Sequence, residues 1–282
     1  MIWVSDTPPP HSPIPPGAWP RLALRGSAVV ALLLAGLVLH GLLRLLERPL
    51  CGLRRPASGR LVQGICALAL RLLGLRLHIE GRPIQGHGAM VANHASWLDI
   101  LVLNAANPVH FVSKHEVAAW PGIGLLARVT GTVFIRRDRR QARAQTLLFE
   151  ARLRAGQRLL FFPEGTSSDG RRVLPFKSTL FEAFFVPELK DILQIQPVSV
   201  IYHAPGGRDP RFYGWWGEMA LGGHLTRVLA ERQQGRAELV FHPPLRVAAT
   251  EGRKDMAQRC EAAVRAGMLR KWSPRGIMTG ET

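Results

Sequence analysis

Acidic residues are scarce in this chain: 20 Asp and Glu stand against 37 Lys and Arg, a formal charge of +17 over 282 residues. So basic a protein calls for an anionic partner, whether nucleic acid, anionic lipid or an acidic substrate. Cysteine is scarcer still. Cys51, Cys66 and Cys260 lie far apart with no C-x-x-C pair, which argues against both a zinc module and a disulfide framework. No G-x-S-x-G elbow occurs, so Ser96, Ser167 and Ser168 do not read as nucleophiles of that hydrolase type. His110, His115, His203 and His242 show no ligand spacing, and no metal site is expected. Nucleic-acid motifs are missing too, and the basic residues are scattered rather than gathered on one helix. A membrane surface accounts for the same charge, at about 1 kcal/mol per well-placed cation.

What is present begins with proline. Residues 1–20 carry Pro8, Pro9, Pro10, Pro13, Pro15, Pro16 and Pro20, which suits a flexible tail. Ser27–Leu43 follows with no formal charge and a single His. At about 1.5 Å per residue it extends roughly 25 Å, just short of a bilayer core of about 30 Å. Stretching it to Leu22–Leu46 brings in Arg25 and Arg44, which snorkel to the two surfaces in an anchor. A signal peptide and a buried soluble helix are the rival readings. The usual cleavage site is absent, and Arg44, Arg48, Arg54 and Arg55 follow directly. Their excess over Arg21 and Arg25 places the C-terminal side in the cytoplasm, at the inner membrane. Leu61–Leu77, interrupted by Gln63, Arg71 and Arg76, reads as an interfacial amphipathic helix. Residues 21–76 are thus a membrane-binding unit that either spans or dips into the bilayer.

From Leu77 onward β-type runs alternate with helical stretches. The runs are 77–81, 89–93, 109–113, 132–136, 158–162, 195–202 and 237–241, with helices near 97–106, 120–129, 139–155, 177–186, 218–233 and 253–270. Strands separated by helices of that length predict an α/β fold for residues 77–282: a mixed, largely parallel sheet flanked by helices, preceded by the N-terminal membrane-binding helical segment.

Four segments carry chemistry. In VANHASWLD, residues 91–99, Asp99 follows His94 by five residues. On one helix that spacing turns the side chains about 140° apart, so they meet only if a turn separates His94 from the helix of Asp99. The carboxylate then fixes the imidazole tautomer and leaves the other ring nitrogen free to take a proton. FFPEGTSSDG, residues 161–170, ends an apolar run in a turn that presents Glu164 and Thr166 at a strand's C-terminal end, where α/β sheets place ligands; a plain surface loop is the duller alternative. GTVFIRRDRR, residues 131–140, runs a strand into four arginines. Arg136 or Arg137 suits a phosphate or carboxylate, while Arg139, Arg140 and Arg143 suit a solvated helix start. IQPVSV, residues 195–200, has Pro197 inside a β run, which predicts an edge or a bulge. Trp215-Trp216 fits either a membrane interface or a buried loop.

NHASWLD, VFIRR, FPEGT and QPVSV in this order resemble the glycerolipid acyltransferase family, whose members include 1-acylglycerol-3-phosphate acyltransferase. The resemblance runs from about Leu77 to Val247. It implies an enzyme in which His94 is the general base and Asp99 orients it. It places Arg137 near the acceptor's head group and has Glu164, Gly165 and Thr166 shape the acceptor site, with Lys177 beyond them. It implies acyl-CoA or acyl-carrier protein as donor, a lyso-lipid acceptor in the membrane, and no metal or other cofactor. Departures from the family pattern are Ser167-Ser168-Asp169 where Arg often follows Thr, and Thr179 where Gly is frequent. GTSSDG, LPFKSTLFEAF and FYGWWGEM resemble a branch that acylates lyso-ornithine lipid, whose head group carries an amine and a carboxylate. On that reading Asp169 suits the ammonium and Arg137 the carboxylate. The rivals are a non-catalytic basic membrane- or nucleic-acid-binding protein and a lipid hydrolase with water as acceptor.

Overall fold

The computed structural model describes residues 3–9, 13–85, 88–120, 122–135, 142–185 and 187–272. Two helices lead the chain, α1 (Trp19–Cys51) and α2 (Pro56–Leu73). α1 is long and apolar enough to cross a membrane by length and composition. One of its faces nevertheless rests on protein along much of its length. Near its start, Arg21 donates to the carbonyl of Ala230 and Arg25 to those of Leu229 and Glu231. Further along, Gly36 lets Ile65 of α2 approach: a β-carbon at Gly36 would stand 2.5 Å from the Ile65 side chain. Near its end His40 bonds the carbonyl of Val129, and Glu47 accepts from Ser58 and from the N–H of Ala57. The opposite face carries exposed Leu24, Val30, Leu34, Val38, Leu42 and Leu45. The apolar side of α2, with Cys66, Ala69, Leu70 and Leu73, is buried.

The strands that follow α2 are β1 (Arg76–Glu80), β2 (Gly88–Ala92), β3 (His110–Lys114), β4 (Val133–Ile135), β5 (Leu159–Phe161), β6 (Gln194–His203), β7 (Arg236–Phe241) and the two-residue β8 (Leu245–Arg246). They line up as β1-β7-β6-β2-β5-β3-β4, with β8 paired to β6. All pairings are parallel except β6 with β7 and β6 with β8. The mixed, largely parallel sheet expected from the alternation of runs is therefore present. The helices of the domain are α3 (Asp99–Ala106), α4 (Ile123–Thr130), α5 (Ala142–Arg154), α6 (Pro187–Lys190), α7 (Leu221–Ala230) and α8 (Arg253–Trp272).

Both sheet faces are covered, which is why β2 is buried at every position instead of alternating. Met90, Ala92, Val198 and Val200 join Leu70, Leu73, Val102 and Leu103 on one side; Ala89, Val91, Ile195 and Ile201 join Phe181, Phe184, Cys260 and Val264 on the other.

Two expectations need correction. The stretch near 177–186 is a 3₁₀ helix over Ser178–Phe184, not an α-helix. Pro197 lies in an interior strand, opposite Val91 of β2. It is tolerated because β6 changes partner there: β7 pairs from Val198 and β8 up to Ile195. The missing N–H faces that gap, while the Pro197 carbonyl accepts from the N–H of His242.

Candidate active site

β2 and β5 are parallel neighbours, with Met90 opposite Leu160. Their chain continuations therefore emerge side by side at the same end of the sheet, which brings His94 and the Glu164 turn together from 70 residues apart in sequence. The two loops are laced by backbone: the N–H of Ser168 donates to the carbonyl of His94 at 2.8 Å, and that of Trp215 to Ala95 at 2.8 Å.

His94 and Asp99 meet. A turn separates His94 from α3, whose first residue is Asp99, so the 140° objection to a single helix does not arise. His94 Nδ1 lies 2.7 Å from Asp99 Oδ2. That same oxygen accepts from the N–H groups of Ala95 and Ser96 at 2.9 and 3.1 Å, and Oδ1 accepts from the Tyr202 hydroxyl at 2.7 Å. Asp99 has no exposed surface, while the His94 side chain keeps 22%. A fully buried carboxylate needs such donors, since a polar group left unpaired away from water costs about 1–3 kcal/mol, and more when charged. Burial, then the charge of Asp99, pushes the Tyr202 phenol well above its ordinary value, so it stays protonated and donates. The imidazole is also held from its face: Phe162 stacks on it at 4.1 Å, and Phe111 stacks on Phe162 at 6.0 Å. The result is one ring nitrogen committed to Asp99 and a ring fixed in plane.

Tyr202 and Phe162 were not singled out from the sequence. Tyr202 is one of two tyrosines in the chain, and a tyrosine inside a buried β run demands a hydroxyl partner; that was the available signal. Asn93 was also passed over. Buried completely, it clamps β2 to β6 by donating to the carbonyl and accepting from the N–H of Val200. Trp97 donates from Nε1 to His224 Nδ1 at 2.9 Å. Burial, then the Arg227 charge, pulls His224 down to about 4, so it remains the neutral acceptor.

The other expected residues are placed as follows. Glu164 is buried, with Oε1 accepting from the N–H of Leu174 at 3.3 Å and Oε2 without a close hydrogen-bond partner among the described residues. Burial pushes its carboxyl well above the usual carboxylate range. Gly165 sits at φ +71°, and a β-carbon there would come 2.8 Å from the Lys177 ammonium; the turn thus needs glycine both for its backbone and for the lysine beside it. Thr166 Oγ1 accepts from the N–H of Trp3 at 3.3 Å. Arg137 lies outside the described residues. Asp169 does not present its carboxylate to a ligand: it is 1% exposed, ion-paired to Arg172 at 3.1 Å, and accepts from the N–H of Arg171. Trp216 is buried, settling that residue as packing. Among the described residues no three His, Cys, Asp or Glu side chains converge as a metal site. A cavity of about 360 Å³ lined by Glu80, His242 and Arg270 does not include His94, and its chemistry is not that of this site.

A family model described as Acyltransferase matches residues 75–201, which covers His94, Asp99 and the Glu164 turn. The chain is 57% identical over 267 residues to a lyso-ornithine lipid O-acyltransferase of Rhodobacter capsulatus, covering 95% of this chain and 97% of that one. It is 41% identical to a 1-acyl-sn-glycerol-3-phosphate acyltransferase of Neisseria gonorrhoeae over 119 residues, 41% of this chain and 46% of that one. The crystal structure of a 1-acyl-sn-glycerophosphate acyltransferase from Thermotoga maritima superposes with a TM-score of 0.64 at 20% identity, covering 92% of this chain and all of that one, which supports the fold alone. The chain belongs to the acyltransferase family that holds these lyso-ornithine lipid and 1-acylglycerol-3-phosphate enzymes, and it is a lysolipid acyltransferase.

Proposed function

We propose that the protein transfers a fatty acyl group from acyl-CoA or acyl-carrier protein to the free hydroxyl of lyso-ornithine lipid, with His94 as general base. The observation that carries this is the His94–Asp99 pair at 2.7 Å with Tyr202 and two backbone N–H groups on the same carboxylate. Asp99 accepts the Nδ1 proton, so Nε2 is the nitrogen left to take the proton of the acceptor hydroxyl. The oxygen then forms a bond to the thioester carbonyl carbon, the carbon–sulfur bond breaks, and the carrier thiol leaves with a proton from the imidazolium. The thioester is already activated, so no metal, cofactor or covalent enzyme intermediate is needed.

The acceptor is chosen from two features. The chain is similar to the lyso-ornithine lipid enzyme over nearly its full length, and the turn after Thr166 lacks the arginine that suits a phosphate. A second reading, 1-acylglycerol-3-phosphate as acceptor, is favoured by the Lys177 ammonium beside Gly165.

The exposed apolar face of α1 is the membrane contact. Arg21 and Arg25 at one end and His40 nearer the other bond to the body of the protein, and Glu47 bonds to the start of α2, so the helix lies along the domain with Leu34, Val38 and Leu45 turned to lipid. The arginine excess that follows the apolar segment supports an active site on the cytoplasmic side of the inner membrane.

The test is acyl transfer from labelled acyl-CoA and acyl-carrier protein to each acceptor in turn, wild type against His94→Ala. Ornithine lipid formed by wild type and lost in the variant is the expected result. Phosphatidic acid alone would favour the second reading. Free fatty acid without acyl-lipid, or product unaffected by the substitution, would refute the mechanism.

A further inference from the structure

Glu164 stands in the turn that the resemblance assigns to the acceptor, yet it is out of an acceptor's reach. The residue is 1% exposed, and Oε2 is buried with no close partner among the described residues. Its neighbours Gly165, Thr166 and Ser167 are partly open, and Lys177 is exposed. The Glu164 carboxyl turns inward instead. Oε1 accepts from the N–H of Leu174, ten residues on, and the peptide N–H of His94 acts on the same carboxyl. The Lys177 N–H donates to the Pro163 carbonyl at 2.9 Å, which pinches the loop 163–177 at its base. From within that loop the Ser168 N–H reaches the His94 carbonyl at 2.8 Å. One loop therefore engages the His94 backbone twice, at its N–H through Glu164 and at its carbonyl through Ser168.

We propose that Glu164 is a positioning residue for the acyl transfer: it touches no substrate atom, and it fixes the 163–177 loop against the His94 backbone so that the imidazole is aimed at the acceptor hydroxyl. This rests on the reading of His94 as general base. Asp99 and Phe162 hold the imidazole itself; Glu164 holds the main chain from which it hangs. Contact with the acceptor is left to Thr166 and Lys177, the open members of the same loop. The chemistry of the place agrees. Asp99, equally buried, stays an anion by collecting four donors. Glu164 has the Leu174 and His94 N–H groups only, too few for a charge out of reach of water. Burial above all holds its carboxyl well over the usual range; those two N–H groups pull it back, Asp99 adds to the rise, and Arg265 of α8 opposes it. A head-group ammonium needs a carboxylate that is charged and open, and this one is neither.

The experiment is steady-state acyl transfer by the full-length protein and its Glu164→Gln, Glu164→Ala and Glu164→Asp variants, with lyso-ornithine lipid and lysophosphatidic acid as separate acceptors. Urea unfolding of wild type and Glu164→Gln between pH 5 and 8 accompanies it. Glu164→Gln is neutral at every pH and keeps an oxygen for the Leu174 N–H, so turnover and acceptor KM should stay within about threefold of wild type. Glu164→Ala frees the loop, and turnover should fall about 10²-fold, as for a reacting group displaced by about 1 Å, with acceptor KM within about threefold. Glu164→Asp, one methylene shorter, should lower turnover by less with KM again unmoved, and it decides the matter if Glu164→Ala does not fold. The unfolded chain loses the Glu164 proton near the ordinary 4.5 while the folded one keeps it. Wild type should therefore lose stability relative to Glu164→Gln as pH rises, and the gap between their unfolding midpoints should widen. An acceptor KM raised roughly tenfold in Glu164→Gln, the sign of a carboxylate that holds the head group, would overturn the proposal. So would full turnover in Glu164→Ala, or a gap that does not change with pH. A wild type that transfers to neither acceptor defeats the general-base reading and this role with it. An active wild type that depends on His94, with acceptor KM raised in Glu164→Gln, defeats the positioning role alone.

Discussion

In the turn from Asn93 to Asp99, five residues (Asn93, Ala95, Ser96, Leu98 and Asp99) have no exposed surface, and each Asp99 oxygen has a partner at hydrogen-bonding distance. On the outward face of α1, Leu45 is 73% and Leu50 83% exposed, with no polar partner to specify their position. The first region works by placement: a ring nitrogen must point one way to within a few tenths of an ångström. The second works by area, and any apolar residue of similar size serves. Changes in the turn should therefore cost rate and stability in large single steps, while changes on α1 should be graded and affect only where the protein resides.

The largest effect that sharpens this contrast is Asp99→Asn. An amide cannot accept from all four donors and offers His94 Nδ1 an N–H where an acceptor is needed. Turnover should fall about 10²- to 10⁴-fold, the usual worth of a positioned general base, with acceptor KM little changed. Loss below tenfold would mean that His94 does not depend on this partner.

Acid should come next. An unfolded His224 takes a proton near its ordinary 6.5, whereas the folded one resists until about 4. The unfolded state therefore binds more protons across that window, and stability falls as pH drops from 6.5 to 4, by about 3 kcal/mol at ~1.4 kcal/mol per pH unit. His110, pulled down to about 3 chiefly by burial and then by Arg55, acts in the same direction. Urea unfolding in detergent at pH 7.5, 5.5 and 4 should show the decline, flattened in His224→Asn. A flat wild-type profile would mean that Trp97 is not held by a neutral imidazole.

On the other side of the comparison, Leu34→Ser with Val38→Ser, one turn apart and both exposed, should weaken vesicle binding by about 2 kcal/mol, roughly 30-fold, for the apolar area withheld from lipid. Turnover in detergent should be unchanged. Membrane binding that survives intact would move the contact to another face.

The smallest effect is Tyr202→Phe. It removes one of four donors to Asp99 and should lower stability by about 1–2 kcal/mol and turnover by roughly tenfold. If neither changes, the hydroxyl is an onlooker.

Most of the architecture was legible because it rests on local pattern. The seven expected β runs are strands, since apolar and branched runs bounded by turns have few other solutions in a chain with this spacing. β8 escaped because two residues carry no period, and Ser178–Phe184 was mistaken for an α-helix because 3₁₀ and α segments share near-identical composition. Pro197 misled because a proline's tolerance depends on which side its missing N–H faces, and the partner change from β7 to β8 is invisible until the sheet is assembled. In the site, His94 and Asp99 were legible through the resemblance carried by the four segments in order, since a five-residue spacing alone turns the two side chains apart on a helix. Tyr202 was not, because it reaches Asp99 from 103 residues away; nor was the stacking of Phe162 on His94. Asp169 looked like a free carboxylate in sequence, but its partner Arg172 stands three residues on in a folded turn.

The sheet order also sets a timetable. β1 leaves the ribosome early but pairs with β7, Arg76 with Arg236, so its hydrogen-bonding edge waits for residues 160 positions later. At ~5–20 residues per second that is roughly 10–30 s. α1 emerges before any of it, so its exposed apolar face is complete while the chain carrying the His94 turn is still being made. Closing the sheet is therefore a late event, one that waits for a strand made after both the His94 and the Glu164 turns are complete.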